Sequence, residues 1–355
     1  MARRVAVWST GWVGSLAVQA IARRPDLELA GVWVHSPDKD GKDAGELTGG
    51  APLGLAATTD DAALLADRPD CVCYAASDGG LSPEAIHDYE RMLTAGINVV
   101  TVSTPGLIFP PAVDERVRSR LDAAARAGGA TLYASGIEPG FAGDQLVLML
   151  LTTSRTIRSV RAQEIFLYDR YPVTFAMFEV FGFGQPPEHT PIMSLPGVQS
   201  GTWGPVVQMV AAGLGVELDE VRETYERELT TRRLEVAAGT IEAGTVGAIR
   251  METIGVIDGR DAIVIEHVNR MARDLAPQWA TAERDGTYRI VVEGDPSMRC
   301  DLTFGASDDT ASAEGMVATT MRIVNAIPAV CDAPPGLVSS LDLPLTLPRG
   351  AFTSG

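Results

Sequence analysis

Basic residues are scarce in this sequence: 29 lysines and arginines face 46 aspartates and glutamates over 355 residues, a formal charge of −17. A deficit of that size argues against nucleic acid or an anionic membrane as the main partner, because phosphate-bearing surfaces need a basic face. A local basic pocket for a phosphorylated cofactor remains compatible with it. Cysteine is scarce as well. The four residues, Cys71, Cys73, Cys300 and Cys331, show no CxxC spacing and no pairing with histidine at zinc-ligand intervals, so no metal site is expected. Cys71 and Cys73 sit two apart in an apolar run, where a strand would bury both side chains on one face as reduced core thiols. Long apolar runs are missing. Nothing approaches the ~20 residues of a membrane span, and the apolar stretch in MARRVAVW stops at Ser9-Thr10-Gly11, too soon for a secretory leader. A cytoplasmic location is expected. What is present is an ordinary globular composition, 46% apolar and 21% charged, in a chain long enough for two cores.

The first 135 residues alternate short β-rich runs with helical stripes. Arg3–Trp8, Leu27–Val34, Cys71–Ala76, Asn98–Val102 and Thr131–Ala134 read as strands. Between them, Val13, Leu16, Ala17, Ala20 and Ile21 mark one helix, and a short one is expected near residues 60–66. Pro83 opens another, through Ile86, Tyr89 and Leu93 to Gly96, and Val113, Val117, Leu121 and Ala124 mark the next. Alternation of this kind predicts a parallel sheet with helices on both faces. The pattern then changes. A helix is expected over Gly140–Leu151, followed by a long strand at Ile157–Tyr168 and a helix marked by Leu218, Val221, Tyr225 and Leu229. Met251–Ile257 and Ala262–Val268 flank Asp258-Gly259, a hairpin signal because both turn residues tolerate positive φ. Tyr288–Glu293 and Arg299–Phe304 complete a mainly antiparallel set. A last helix is expected over Ala313–Asn325, packing back on the first domain, before a proline-rich tail that begins at Pro328. The fold class is thus α/β: a Rossmann domain over residues 1–139, an α+β substrate domain over 140–312, and a helix and tail over 313–355. No internal repeat is visible.

The first strand runs into Ser9-Thr10-Gly11-Trp12-Val13-Gly14, a G-x-G-x-x-G turn with serine in the first position. Gly11 lets backbone approach a pyrophosphate, Gly14 allows close helix–strand packing, and the helix N-terminus offers free N–H groups to the phosphates. Its place between a strand and an amphipathic helix, at the start of a βαβ series, makes the motif strong. The second strand would end on a carboxylate if it bound the ribose of NAD. Here it ends on Val34-His35-Ser36-Pro37-Asp38-Lys39, where Ser36 with Lys39 or Lys42 suits a 2′-phosphate. NADP(H) is therefore the preferred cofactor, with NAD(H) still open through Asp38. Ala76 and Ser77, and Ser103 and Thr104, follow later strands and are expected at the rim where ligands bind outside the carboxyl ends of parallel strands.

Four stretches, SPDKDGKDAGEL (36–47), NVVTVSTPGLIFPP (98–111), SGIEPGFAGD (135–144) and NAIPAVCDAPPGL (325–337), together resemble the dihydrodipicolinate-reductase-like oxidoreductases. The subgroup is that of 2,4-diaminopentanoate dehydrogenase and the native amine dehydrogenases of actinobacterial type, and the similarity runs over nearly the whole chain. The resemblance implies NAD(P)H-dependent reduction of a C=N or C=O bond of a small hydrophobic ketone, imine or amine, with ammonia as a possible co-substrate and a homodimer formed through the second domain's sheet. Ketone-aminating members carry a glutamate just after the strand matching Asn98–Val102. This chain has Ser103, Thr104 and Pro105 there, and no carboxylate until Asp114. In the family's G-x-N-P-G-F segment it carries Glu138 where asparagine is usual.

Glu138 is thereby a candidate acid/base near the nicotinamide, a burial-raised carboxyl pKa suiting proton exchange. The competing reading makes it the cap of the helix starting near Gly140. Glu164, Tyr168 and Asp169 close the first strand of the second domain, which in this family faces substrate. His189 lies in a Gly/Pro-rich loop of a kind used as a lid, and His267 follows Glu266 on an alternating strand. Phe175, Met177, Phe178, Phe181 and Phe183 form an apolar cluster that suits a hydrophobic substrate, a core or a dimer interface. Two further functions compete with amine dehydrogenation: a carbonyl or imine reductase that uses no ammonia, and a non-catalytic NAD(P)-binding sensor or scaffold. The tetrahydrodipicolinate reductase activity of lysine synthesis is disfavoured, since its His-His-x-x-Lys pattern is absent.

Overall fold

A computed structural model of the protein describes residues 2–76 and 82–352. The chain divides into two compact units, Met1–Phe141 with Met316–Gly355, and Ala142–Gly315.

In the first unit, β1 (Arg3–Trp8), α1 (Trp12–Ala22), β2 (Leu27–Trp33), α2 (Ala44–Leu47), α3 (Asp61–Ala66) and β3 (Cys71–Tyr74) are followed by α4 (Pro83–Thr94), β4 (Asn98–Thr101), α5 (Glu115–Gly128) and β5 (Thr131–Ala134). Their ends follow local chemistry. Ser82 and Asp114 cap α4 and α5 by accepting backbone N–H groups, and Pro83 occupies the first turn of α4, where no N–H is needed. With β14 (Gly336–Val338) from the C-terminal segment, the strands form one all-parallel sheet in the order β2-β1-β3-β4-β5-β14. The order reverses at β1, so the crevice lies outside the carboxyl ends of β1 and β3. Cys71 and Cys73 are fully buried, and burial pushes the Cys73 thiol up to about 12.

The C-terminal segment departs from the sequence reading twice. The helix there, α9 (Ala311–Asp332), continues through Pro328 instead of ending before it. Proline in a helix interior costs about 3 kcal/mol. Ile323, Val324, Ile327 and Val330 are fully buried against Val5, Val7, Ala17, Val18 and Ile21, and each such side chain returns about 1.5–3 kcal/mol. Burial on both sides of the proline therefore outweighs its cost. The tail then supplies a sixth strand, β14 (Gly336–Val338), parallel to β5, which three residues among prolines did not announce.

The second unit holds α6 (Gln145–Leu151), β6 (Thr156–Leu167), α7 (Val198–Thr202), α8 (Gly204–Leu214), β7 (Glu220–Leu229), the ribbon β8 (Leu234–Val236) and β9 (Gly239–Ile241), β10 (Val246–Ile257), β11 (Arg260–Arg270), β12 (Thr287–Asp295) and β13 (Met298–Thr303). Its sheet runs β13-β12-β6-β11-β10-β7, parallel only between β6 and β11. The segment expected as a helix over 218–229 is the edge strand β7. Val221, Tyr225 and Leu229 are four apart, a spacing that puts residues on one face of a helix and equally on one face of a strand. Pairing with β10 decides it, and the charged residues Glu220, Arg222, Glu226 and Glu228 suit an exposed edge. The helix expected from Gly140 begins instead at Gln145.

The Asp258-Gly259 hairpin forms as expected, with φ of +50° and +68°. A side chain at Gly259 would meet open space, so only backbone conformation opposes it. Gly259→Ala should lower stability by about 1 kcal/mol, read as a shift in the urea midpoint; an unchanged midpoint would mean the turn is not held in this form.

Candidate functional site

The turn after β1 is built around one close approach. A Cβ on Gly14 would lie 2.0 Å from the Ser9 carbonyl oxygen, inside backbone that cannot yield. Ser9 itself has φ +91° and donates its N–H to the Trp33 carbonyl at 2.9 Å. Ser15 Oγ donates to the Thr10 carbonyl at 3.2 Å. Gly11 caps α1 without any side-chain bond, and the first turn carries no acidic residue. The α1 N-terminus is thus left to backbone N–H groups, with Trp12 and Val13 leading it and the Trp12 indole 45% exposed beside the turn. Such an end attracts an anion. The cradle fits a dinucleotide pyrophosphate.

A second strand end converges on it. Lys39 reaches back to donate from Nζ to Thr10 Oγ1 at 3.1 Å. Lys39 and Lys42 are the only lysines in the chain, a signal available from composition that motif reading passed over. Lys42 and His35 are exposed, and Ser36 is half-buried at the cap of the 3₁₀ turn Pro37–Lys39. The Asp43 carboxylate holds the following loop through the N–H groups of Leu53, Gly54, Gly45 and Glu46, bonds that keep it below the usual carboxylate range. Beneath the turn the rings of Trp33, Trp8, Tyr74 and Tyr89 run in contact across β2, β1, β3 and α4. Tyr89 engages the hydroxyls of Thr101 and Thr104, at 3.0 and 2.8 Å. Thr104 is therefore a fully buried part of the packing, while Ser103 is half-buried and gives its N–H to Thr101 Oγ1. Ala76 is half-buried after β3, and Ser77 lies outside the described residues.

Glu138 is half-buried in the turn that follows β5, closed by an Ile137–Gly140 bridge and by the Phe141 N–H to the Gly136 carbonyl. It is not the cap of the next helix. Asp144 caps α6 through the Gln145 N–H.

In the second unit the two faces of the sheet treat carboxylates differently. On one face Glu266 and Glu252 meet Arg161 and Arg250, with Glu266 also taking Gln163 Nε2 at 2.7 Å. Burial alone would raise Glu266, but the hydrogen bonds and charges of Arg250 and Arg161 outweigh it and hold the carboxyl below its usual range. On the other face Glu164 is register partner of His267 and has neutral hydrogen-bond donors. Tyr168 Oη donates to Glu164 Oε1 at 2.7 Å and Asn269 Nδ2 to the same oxygen at 3.1 Å. Burial pushes Glu164 up, and burial with the Glu164 charge keeps the Tyr168 phenol protonated well above its ordinary value. The Tyr168 ring touches Tyr171, Phe181 and Phe183, which gathers part of the expected aromatic cluster, whereas Phe175 is 63% exposed. His267 packs on Trp203 with ring centres 4.2 Å apart, and burial drives it down to about 3, so it stays neutral. His189 is half-buried in a loop pinned by Arg227, which donates to the Pro187 and His189 carbonyls. Among the described residues, no hydrogen bond or ring contact joins it to the Glu164 cluster. Sequence reading named Glu164 and Tyr168 but missed Asn269, whose partnership depends on strand register.

Among the described residues no cluster of three or more histidine, cysteine, aspartate or glutamate side chains is arranged to hold a metal ion, and no helix is long and apolar enough to cross a membrane.

Residues 141–352 match the model of the 2,4-diaminopentanoate dehydrogenase C-terminal domain. The chain is 41% identical to an amine dehydrogenase of Streptomyces virginiae over 349 residues, covering 96% of this chain and 95% of that one. It is 24% identical to the 2,4-diaminopentanoate dehydrogenase of Acetoanaerobium sticklandii, over 70% and 67% of the two chains. The solved amine dehydrogenase of Mycobacterium smegmatis superposes with a TM-score of 0.75 at 21% identity, over 98% of this chain and 97% of that one, a likeness of fold.

Since a Cβ at Gly14 must displace the Ser9 carbonyl, Gly14→Ala should weaken NAD(P)H binding at least tenfold, on the order of 1.4 kcal/mol, in a fluorescence titration. Unchanged affinity would mean that this turn does not hold the pyrophosphate.

Proposed function

The chain belongs to the family of 2,4-diaminopentanoate dehydrogenase and the amine dehydrogenases, and from that membership we propose that it is an NAD(P)H-dependent oxidoreductase joining a small hydrophobic ketone and ammonia to a primary amine, and running the reverse deamination. The observation that carries this reading is the identity with an amine dehydrogenase over 96% of the chain, with the Gly14 cradle where a dinucleotide needs it. When bound, the nicotinamide supplies the hydride that reduces the substrate C=N carbon, or accepts it in the reverse direction. The chain's own residues do the rest.

Ser9, Thr10, Gly11 and the first N–H groups of α1 hold the pyrophosphate. Lys39, tethered to Thr10 Oγ1, takes the 2′-phosphate with Ser36 and Lys42 near it, which makes NADPH the preferred form. Ser103 borders the nicotinamide. Glu138, at the next strand end of the same sheet, handles protons in place of the carboxylate that the family carries after the strand β4. Tyr168, a phenol kept protonated, is the donor of the second unit, and His189 belongs to a loop over the substrate. The enzyme works as a cytoplasmic homodimer through the second unit's sheet, whose alternating Arg161, Glu252, Glu266 and Arg250 suit pairing with their own two-fold copy.

A second reading rests on one observation. Residues 102–113 contain no carboxylate, which favours a carbonyl or imine reductase that never binds ammonia.

Following cofactor absorbance with a panel of hydrophobic ketones, with and without ammonium at mildly alkaline pH, separates the two. Consumption that requires ammonium is expected, faster with NADPH than with NADH. Lys39→Ala should raise the KM for NADPH about tenfold or more, since a hydrogen bond to a charged group is worth about 1.5–3 kcal/mol, and leave that for NADH within about twofold. Ammonium-independent consumption would favour the carbonyl reductase. Failure to bind either nucleotide would overturn both.

A further inference from the structure

Asn269 on β11 is fully buried. Its amide nitrogen is used, donating to Glu164 Oε1 at 3.1 Å, but its carbonyl oxygen is buried and, among the described residues, has no hydrogen-bond partner. A buried acceptor left unsatisfied is destabilising, and such an atom calls for an occupant. Beside it, Glu164 on β6 is a buried carboxyl whose hydrogen-bond donors are the neutral Tyr168 hydroxyl and the Asn269 amide, both on Oε1. This differs from the opposite face of the same sheet, where Glu266 and Glu252 are matched by Arg161 and Arg250. Rings gather on the Glu164 donor: Tyr168 stacks on Tyr171 at 5.8 Å and lies 5.8 Å from Phe181. Tyr288 and His267 flank Glu164 in register on β12 and β11.

A carboxylate, a spare amide carbonyl and aromatic faces share one preference. Each attracts a compact cation that carries N–H donors. An anion would be repelled, and a hydroxyl has a single hydrogen to give to two acceptors.

We propose that Glu164, Asn269 and the ring of Tyr168 form a binding site for a protonated amino group, the ammonium head of a primary amine or ammonium itself. The proposal rests on the reading of the chain as an enzyme of amines, and it assigns amine recognition to a carboxylate of the second unit's sheet; at the strand-end position of the first, this chain has Ser103 and no carboxylate. Glu164 must be ionised to serve. The groups that face it do not compete for that charge change: the phenols of Tyr168 and Tyr171 are raised by burial and by Glu164 itself, Tyr288 is a buried phenol, and His267 is neutral down to about 3. Asp285, itself raised by burial, adds a like charge that pushes Glu164 in the same upward direction. Cation affinity should accordingly increase as pH rises through the elevated Glu164 titration, and fall again only when the amine itself loses its proton.

The test is isothermal titration of the full chain, bound to NADPH, with tert-butylammonium chloride, using tert-butanol as the neutral shape control. The carbon bearing nitrogen in tert-butylamine has no hydrogen, so binding is read apart from any turnover. The wild type should bind the ammonium and not the alcohol, with affinity rising with pH. Glu164→Gln and Asn269→Leu should each weaken it about tenfold or more while NADPH affinity stays unchanged. Variants that bind the cation as the wild type does, an alcohol that binds equally well (a site for water or any neutral group only), or no binding by the wild type would each overturn the proposal. If either variant does not fold, the wild-type pH series and the alcohol comparison still decide. Amine turnover alongside unaltered binding in both variants would sink this site and leave the amine dehydrogenase reading standing. Cation binding lost in Glu164→Gln, in a protein that oxidises no amine, would do the reverse.

Discussion

The contact between Gly14 and the Ser9 carbonyl sets the geometry of the first unit. With no side chain at residue 14, α1 starts directly against the end of β1, so that Ala17, Val18 and Ile21 fall onto Val5 and Val7 and share one core with the α9 side chains. The same approach leaves the α1 N-terminus facing outward from the strand end, without side-chain cap or acidic residue. The packing of α1 and its open N-terminus therefore have one cause. The Lys39 loop, held by Asp43 and tethered to Thr10, then adds the chain's scarce basic charge to that same strand end.

The second unit solves a different problem, that of keeping buried carboxylates on both sides of one sheet. Where guanidinium groups are available, as for Glu266, their bonds and charge overcome desolvation. Where the donors are neutral, as for Glu164, desolvation wins and the pKa goes up. Two glutamates on neighbouring strands of one sheet thus have opposite proton affinities, set by which side of the pleat each occupies. The covered side is the one where Trp203 lies on His267 and a Cβ on Gly255 would meet Val207 of α8.

Much of the first unit was legible because each of its signals is local: a turn motif at a strand end, Pro83 at a helix start, apolar strands buried on both faces. The misreadings were of the opposite kind. Val221, Tyr225 and Leu229 satisfy helix and strand periodicity alike, and only the partner β10 distinguishes them. Pro328 signals a stop that the burial of Ile327 and Val330 overrides, and β14 exists because β5 offers it an edge. The glycine turn and its neighbourhood to the Lys39 loop followed from order along the chain. Asn269 did not, since nothing near it in sequence names Glu164 as its partner. The capping role considered for Glu138 belongs to Asp144, six residues on, because the intervening turn folds back on Gly136 before the helix starts.

In amine dehydrogenation a hydride passes between the nicotinamide and the carbon that bears nitrogen. Its most direct test is the mass of the product formed from a hydrophobic ketone, nitrogen-15 ammonium, and cofactor deuterated at the transferring carbon of the nicotinamide. The expected product is an amine carrying both labels, with the deuterium on the carbon attached to nitrogen. A deuterated alcohol free of the nitrogen label, or an amine without deuterium, would contradict it.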